Sequence, residues 1–367
     1  MAHEMKRSKT LMVTTHDGSE DNKHKPQIYA KNSIDRFGDD LCALLLSYFP
    51  LEDHIRCESL SKQFRRTVFR SLRDITIDDK LMRRLPKSNV RQIVATIAIK
   101  CENIETIDCR GMSSRFEEPI VEFANNATLI AKNLHTFELL DYFADNSDEH
   151  RLSAFVAHNL CLRSAVFMVY DTLPKLCQQL SRLTQLRELG LGLMLTSGQN
   201  SLSESLRTFG LDCKQLQRLT LHLNACHNLD LIDEFNSHSL DSLQCYRRLK
   251  RLNLWLNVAL NPEVLEPLTL CHRLTHLTIN SRKMSDKLFV NCDKQWPRLQ
   301  HLSIKTNTIS RECLDHISRL PALQILIIDV YVISGLTDND FEDLLSRSPK
   351  LKAIEFIVNT NRKTFTV

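Results

Sequence analysis

The side chains with the widest chemical range here are 14 histidines and 12 cysteines. His222, Cys226 and His227 lie near one another. Two imidazoles and a thiol could begin a zinc site, but these three fall in the turn after a strand and lack a workable ligand geometry. The cysteines are scattered, with no Cys-x-x-Cys and no paired-histidine spacing to complete a ligand set. A phosphate-cradling glycine loop is also missing, and the whole chain holds only 8 glycines. No nucleophile elbow is present. The sequence therefore predicts no catalytic residue, no metal and no cofactor.

Recognition chemistry is better represented. Glu188, Arg218, Arg251, His276 and His301 recur at matching positions of a repeated phrase, and His222, Trp255, Asn280 and Lys305 form a second such series. Guanidinium groups pair with carboxylate and phosphate oxygens, and a Trp flanked by arginines has the composition of a binding hot spot. One reading is a site for an acidic or phosphorylated protein segment, carried by Arg218, His222, Arg251, Trp255, His276, His301 and Lys305. The other is that these positions are polar because they meet water, with Trp255 partly covered by a neighbour. A further set, Ile325, Ile327, Ala353 and Ile357, is either a substrate wall or a surface covered by the C-terminal tail, Thr360 to Val367.

The phrase that spaces them is Leu-x-x-Leu-x-Leu, as in Leu216, Leu219 and Leu221. It returns at Leu186, Leu249, Leu274, Leu299, Leu323 and Leu351, with degenerate copies from Leu72, Ile104, Leu134 and Leu162. Successive copies begin roughly 24 to 33 residues apart, the spacing of leucine-rich repeats. Within each phrase the second and third anchors alternate with polar residues, the mark of a short strand with one face on the core. Between phrases the apolar spacing turns helical, as at Leu173, Leu176, Leu180 and Leu183. Units of this kind bury a core only by stacking on their neighbours. The predicted fold is an α/β leucine-rich-repeat solenoid, with a curved parallel sheet on the concave face and helices on the convex face.

Three further columns keep register with the anchors. Cys101, Cys213, Tyr246, Cys271, Trp296 and Leu320 stand three residues before a first anchor, so cysteine serves there as a small hydrophobe. Asn224, Asn257, Asn307 and Asn359 follow the third anchor by three and suit the turn leaving the strand. Pro297, Pro321 and Pro349 favour an extended approach to the strand. Unpaired cysteines at core positions fit a reducing compartment, so the cytoplasm, the nucleus or both are expected.

Bulk composition bounds the rest. The chain has 367 residues, 43% of them hydrophobic, with a formal net charge of +4. That charge gives no bulk support for a nucleic-acid or membrane partner. No apolar run is long enough to span a bilayer, and the N-terminus lacks a secretory-signal pattern. Residues 1–32 are polar, mixed in charge and predicted to be a disordered arm. Residues 33–72 predict a compact helical unit. Leu41, Leu44, Leu45 and Phe49 make an apolar stripe on a helix that opens at Asp39-Asp40 and ends at Phe49-Pro50. A second helix is expected to start near Glu52-Asp53, with Ile55, Leu60 and Phe64 toward the core. About forty residues is close to the lower limit for an independent core, so neighbours must support the unit. Residues 73–367 form the repeat domain.

The helical unit resembles an F-box. That pattern is roughly Leu-Pro-x-Glu-Leu-Leu-x-x-Ile-Phe-Ser-Tyr-Leu, then an acidic helix start and Val-Cys-Lys-x-Trp. Here it reads from Phe37-Gly38 through Leu41, Leu44, Leu45, Ser47, Tyr48 and Phe49 to Leu51-Glu52-Asp53 and Leu60-Ser61-Lys62-Gln63-Phe64. Phe37-Gly38 replaces Leu-Pro, and Phe64 replaces the closing Trp. An F-box followed at once by leucine-rich repeats is the arrangement of the F-box/leucine-rich-repeat proteins, and the resemblance covers most of the chain. It implies a substrate adaptor that docks on Skp1, and through it on cullin and RING subunits, for ubiquitination of a protein held by the repeats. The implied Skp1 contacts are Phe37, Leu41, Leu44, Leu45, Tyr48, Phe49, Leu51 and Ile55. The chain lacks the Cys/His zinc pattern of RING-type ligases, so it would be a specificity subunit that makes no bonds itself. The competing expectations are a repeat scaffold unconnected to ubiquitin transfer and an uncharacterised enzyme.

Overall fold

The computed structural model describes residues 38–84, 100–101, 103–108, 136–138, 159–170, 173–195, 202–225, 240–257, 261–332 and 335–366. The arm over residues 1–32, Phe37, Cys226 and His227 lie outside the described residues.

Each repeated phrase becomes a strand. In chain order these are β1 (Asp74–Thr76), β2 (Thr106–Asp108), β3 (Thr136–Glu138), β4 (Ser164–Tyr170), β5 (Glu188–Leu195) and β6 (Arg218–Ala225). They continue as β7 (Arg251–Leu256), β8 (His276–Ser281), β9 (His301–Thr306), β10 (Ile325–Val330) and β11 (Ala353–Val358). They lie side by side in sequence order, each parallel to the next. β12 (Asn361–Thr366) then folds back antiparallel on β11 and ends the sheet.

The register does not slip from β5 to β11. Leu189, Leu219, Leu252, Leu277, Leu302, Leu326 and Ile354 align as one file, and all are buried. Moving any strand by one residue would turn its leucines to solvent. Each buried leucine contributes about 1.5–3 kcal/mol, which fixes the alignment repeat by repeat. The intervening residues consequently face the other way, onto the concave side.

The convex layer is less uniform than the spacing predicts. Helices α5 (Leu173–Leu180) and α6 (Leu202–Asp212) follow β4 and β5. Between β6 and β9 the described convex segments are mainly 3₁₀: Asp241–Cys245, Pro262–Leu270 and Asp286–Phe289, with the one-turn α7 (Cys292–Gln295) after them. Pro267 inside the middle segment has no N–H for a helical bond. The last two convex elements are α8 (Arg311–Ile317) and α9 (Asp338–Arg347).

The column three residues before each first anchor joins neighbouring repeats. Cys101, Cys213, Tyr246, Cys271, Trp296 and Leu320 are all buried. The Trp296 indole N–H donates to the Leu268 carbonyl at 3.0 Å, and the Tyr246 hydroxyl donates to the Leu206 carbonyl at 2.6 Å. The Cys213 thiol reaches the Leu180 and Leu183 carbonyls at 3.5 Å. A side chain from one repeat thus bonds backbone carbonyls of the previous one, adding to the backbone partners that Leu180, Leu183 and Leu268 already have. Burial pushes the Cys101, Cys213 and Cys271 thiols up to about 12, so none is a thiolate at neutral pH.

At the N-terminal end three helices cap the stack: α1 (Asp39–Leu46), α2 (Leu51–Cys57) and α3 (Lys62–Arg70). Leu46, Cys57, Phe64, Val68 and Phe69 belong to the same continuous core as Ile75 and Ile107 of the first repeats. Polar contacts reinforce the joint. Arg84 of α4 (Asp79–Arg84) bonds Glu52 at 2.7 Å, and this partner holds the Glu52 carboxyl below its ordinary range. Lys100 pairs with Glu58 and lies 4.9 Å from the Phe69 ring centre. Leu60 departs from expectation: it is 66% exposed, because α2 ends at Cys57 and Leu60 lies in the following turn, off any helix face.

Candidate functional site

Two surfaces are built for contact, one at each level of the architecture. The first is the outer face of the helical cap. α1 turns Cys42 and Leu46 inward, both fully buried. Its other apolar stripe then faces solvent: Leu41, Leu44 and Leu45 are 40%, 53% and 40% exposed, and Tyr48 and Phe49 continue it at 77% and 44%. Five large apolar side chains on one small unit form an uncovered patch of the kind that marks a protein-binding surface. Leu51 and Ile55 do not join this patch; both are half-buried and pack on the core.

The patch is held on a firm base. His54 is buried, and its Nε2 contacts the Leu46 carbonyl at the end of α1. Asp39 at the start of α1 accepts from Gln63 at 3.0 Å and from Arg66 at 3.4 Å, tying α1 to α3. Ser61 caps α3 by accepting from the Phe64 N–H at 3.1 Å. Gly38 takes the N-cap position of α1 with φ −66°, the value that proline would impose.

The second surface is the concave face. Sheet register places Arg218, Arg251, His276 and His301 in one file, and His222, Trp255, Asn280 and Lys305 in another four residues along. All seven predicted substrate residues therefore share one face. Arg218 accepts no free role there, since it pairs with Glu188 at 2.8 Å. Lys305 pairs with Asp329 at 2.7 Å, which holds its ammonium above the ordinary range, and it lies 5.4 Å from the Tyr331 ring centre. Arg251 is exposed, and among the described residues no carboxylate pairs with it.

The rings stack between strands. His222 and Trp255 lie 5.3 Å apart and 8° from parallel, and His276 and His301 lie 5.6 Å apart and 12° from parallel. Burial lowers the pKa of all three histidines, and the nearby Arg251 lowers His276 and His301 further. They are neutral at pH 7. The patch is thus less cationic than its composition predicts: two cations are matched, the imidazoles are uncharged, and Arg251 carries the unmatched charge. Asp329 and Tyr331 escaped the sequence reading, although carrying the Lys305 file one strand further would have reached Asp329.

Ile325, Ile327, Ala353 and Ile357 sit on the same face over β10 and β11. The C-terminal tail does not fold over them. It forms β12 beside β11, and Ile325 remains 40% exposed. Among the described residues no group of three or more His, Cys, Asp or Glu side chains could hold a metal ion. No helix among them is long and apolar enough to cross a membrane.

No protein-family model and no curated protein matches the chain. Solved structures are similar to it at low identity. The leucine-rich repeat-containing protein LegL7 from Legionella pneumophila is 14% identical with a TM-score of 0.49, over 78% of this chain and 91% of that one. Rad7, solved as a complex with Elc1 in yeast, is 12% identical with a TM-score of 0.47, over 88% of this chain and 93% of that one. TLR13, solved as a complex with ssRNA13, is 14% identical with a TM-score of 0.44 over 80% of this chain, which spans only 37% of the TLR13 chain. The in-register parallel strands, the buried leucine files and the convex helical layer make this chain a leucine-rich-repeat solenoid of the α/β class.

Proposed function

We propose that the chain is the substrate-recognition subunit of a Skp1–cullin–F-box ubiquitin ligase. In this reading the helical cap docks on Skp1, which brings the cullin and RING subunits, and the concave face holds a protein marked for ubiquitination. The observation that carries it is the outward apolar stripe Leu41, Leu44, Leu45, Tyr48 and Phe49 on a unit whose opposite side is fused to the repeat core. Helix-on-helix recognition uses apolar anchors of this kind. The F-box pattern over residues 37–64 points to Skp1 as the partner. On the substrate side the unmatched Arg251 and the half-exposed Trp255 suit a segment bearing a carboxylate or phosphate beside an apolar group. The chain makes no bonds itself. Its compartment in this reading is the cytoplasm, the nucleus or both.

The scaffold reading rests on a specific departure, Phe37-Gly38 in place of Leu-Pro. Replacing Leu44 and Leu45 together by Asp separates the two. Loss of Skp1 co-purification with an unchanged melting temperature supports docking through this stripe. A complex that survives the double change refutes it.

A further inference from the structure

The linkers running from each convex segment into the next strand carry a row of cations that the two surfaces above leave unused. Every such linker from the one before β4 to the one before β11 holds at least one exposed Lys or Arg, among them Arg163, Arg187, Lys214, Lys250 and Lys352. Among the described residues none of these linker cations is in an ion pair, and the linkers hold no carboxylate, Asp212 at the end of α6 being the nearest in sequence on the convex side. At their centre the alignment is strict. Arg248, Arg273 and Arg298 each stand three residues before the aligned Arg251, His276 and His301, so they form one file across three consecutive repeats. Arg248 donates to the neutral Gln215 side chain, which leaves its charge unmatched.

The net charge of +4 conceals this edge because the acids collect on the opposite one. Glu204, Asp241, Glu263, Asp286, Glu312 and Asp338 open the convex segments. Helix dipoles favour this division and account for cations such as Arg182 and Arg319 beside a helix end. The dipole effect falls off within a turn, so it leaves Arg187, Lys250 and Lys352, just before their strands, unexplained.

Eight strands at about 4.8 Å per step give the row a length of about 34 Å. Its chemistry selects the partner. A protein interface needs a desolvated apolar core, yet the leucines of these linkers, such as Leu249, Leu274 and Leu299, are buried, with Leu160 at one end of the row the exception. Stable membrane attachment needs a second, apolar signal beside the charge, and one leucine at the end of the row does not supply it. A phosphate backbone requires cations alone, since counterion release supplies the affinity. One residue inside the edge stands the His276–His301 stack, a pair of rings against which bases can lie. A flexible single strand can follow a curved row and present unpaired bases, which a stiff duplex cannot.

We infer that this edge binds single-stranded nucleic acid through its phosphates, without reading sequence. The inference is independent of the adaptor role. The test is fluorescence anisotropy of the full chain with labelled oligo(dT) of about twenty nucleotides, from about 50 to 200 mM salt. Comparators are a duplex of equal length, anionic vesicles and polyglutamate. Oligo(dT) is expected to bind in preference to all three. The triple change Arg248→Glu, Arg273→Glu, Arg298→Glu is expected to reduce the log K against log salt slope by about 2, at about 0.7 per lost phosphate contact. Replacing the same three arginines by Lys should keep most of the slope, which separates lost charge from misfolding. No binding at low salt, an unchanged slope in the charge-reversed variant, or preference for any comparator would overturn the inference. Skp1 co-purification is unaffected either way.

Discussion

His276 and His301 stack across β8 and β9 with ring centres 5.6 Å apart, and both are held neutral by burial and by the Arg251 guanidinium. In the unfolded chain each returns to an ordinary imidazole pKa of about 6.5. Because the folded values lie lower, the unfolded state binds more protons as pH falls, and stability falls with it. The contribution is complete above about 6.5 and is lost as pH drops through the folded values. Glu355 opposes the shift at His301 and weakens the effect there. Denaturant midpoints measured from about pH 7.5 to 5 should fall less steeply in a His276→Gln, His301→Gln variant than in the parent. Identical pH profiles would mean the stack is not held neutral.

Trp296 joins two repeats by filling a fully buried position and donating to the Leu268 carbonyl. Trp296→Ala removes the ring and the bond together. The expected loss is about 3–5 kcal/mol, read as a lower denaturant midpoint. A loss under about 1 kcal/mol would show that neighbouring repeats collapse into the space.

The hairpin that ends the sheet has both of its turn residues at positive φ, Asn359 at 46° and Thr360 at 75°. Two-residue turns of this sense favour Asn-Gly, and a β-branched residue is strained there. Thr360→Gly should therefore raise stability, by about 1 kcal/mol, the lower end of such strain. A decrease would mean the threonine makes contacts worth more than the strain.

Gly38 already has the backbone angle that proline fixes, and an added Cβ would meet nothing within 4 Å. Gly38→Pro restores the residue of the F-box pattern without a clash at its Cβ. A gain of about 0.4–1 kcal/mol is expected from the less flexible unfolded chain. Thermal denaturation reads it, and a loss would show that the Gly38 N–H has a partner to lose.

The repeat spacing makes the strands, their order and their inward anchors readable in the sequence. Leu219, Leu252 and Leu277 are fixed by a period that only one sheet satisfies. The Cys213, Tyr246, Trp296 column was legible for the same reason: burial, not chemistry, decides what stands there. Features set by non-local geometry were not legible. Leu60 reads as a helix-face residue until the end of α2 at Cys57 is known. Asn359 fits the strand-exit column but serves a turn, because β12 carries no repeat phrase to announce its return. The concave site was legible as a set of positions. Its charge was legible only in part: Glu188 stands beside Arg218 in one column of the phrase, whereas Asp329 lies one strand beyond the Lys305 series.

In the proposed role the apolar stripe on the cap meets Skp1. The most direct measurement is co-expression of the full chain with Skp1 followed by size-exclusion chromatography, for the parent and for Leu44→Asp, Leu45→Asp. A stoichiometric complex is expected with the parent and none with the variant, whose melting temperature stays within the range set by about 0.5 kcal/mol because both leucines are exposed. A soluble parent chain that ignores Skp1 would contradict it.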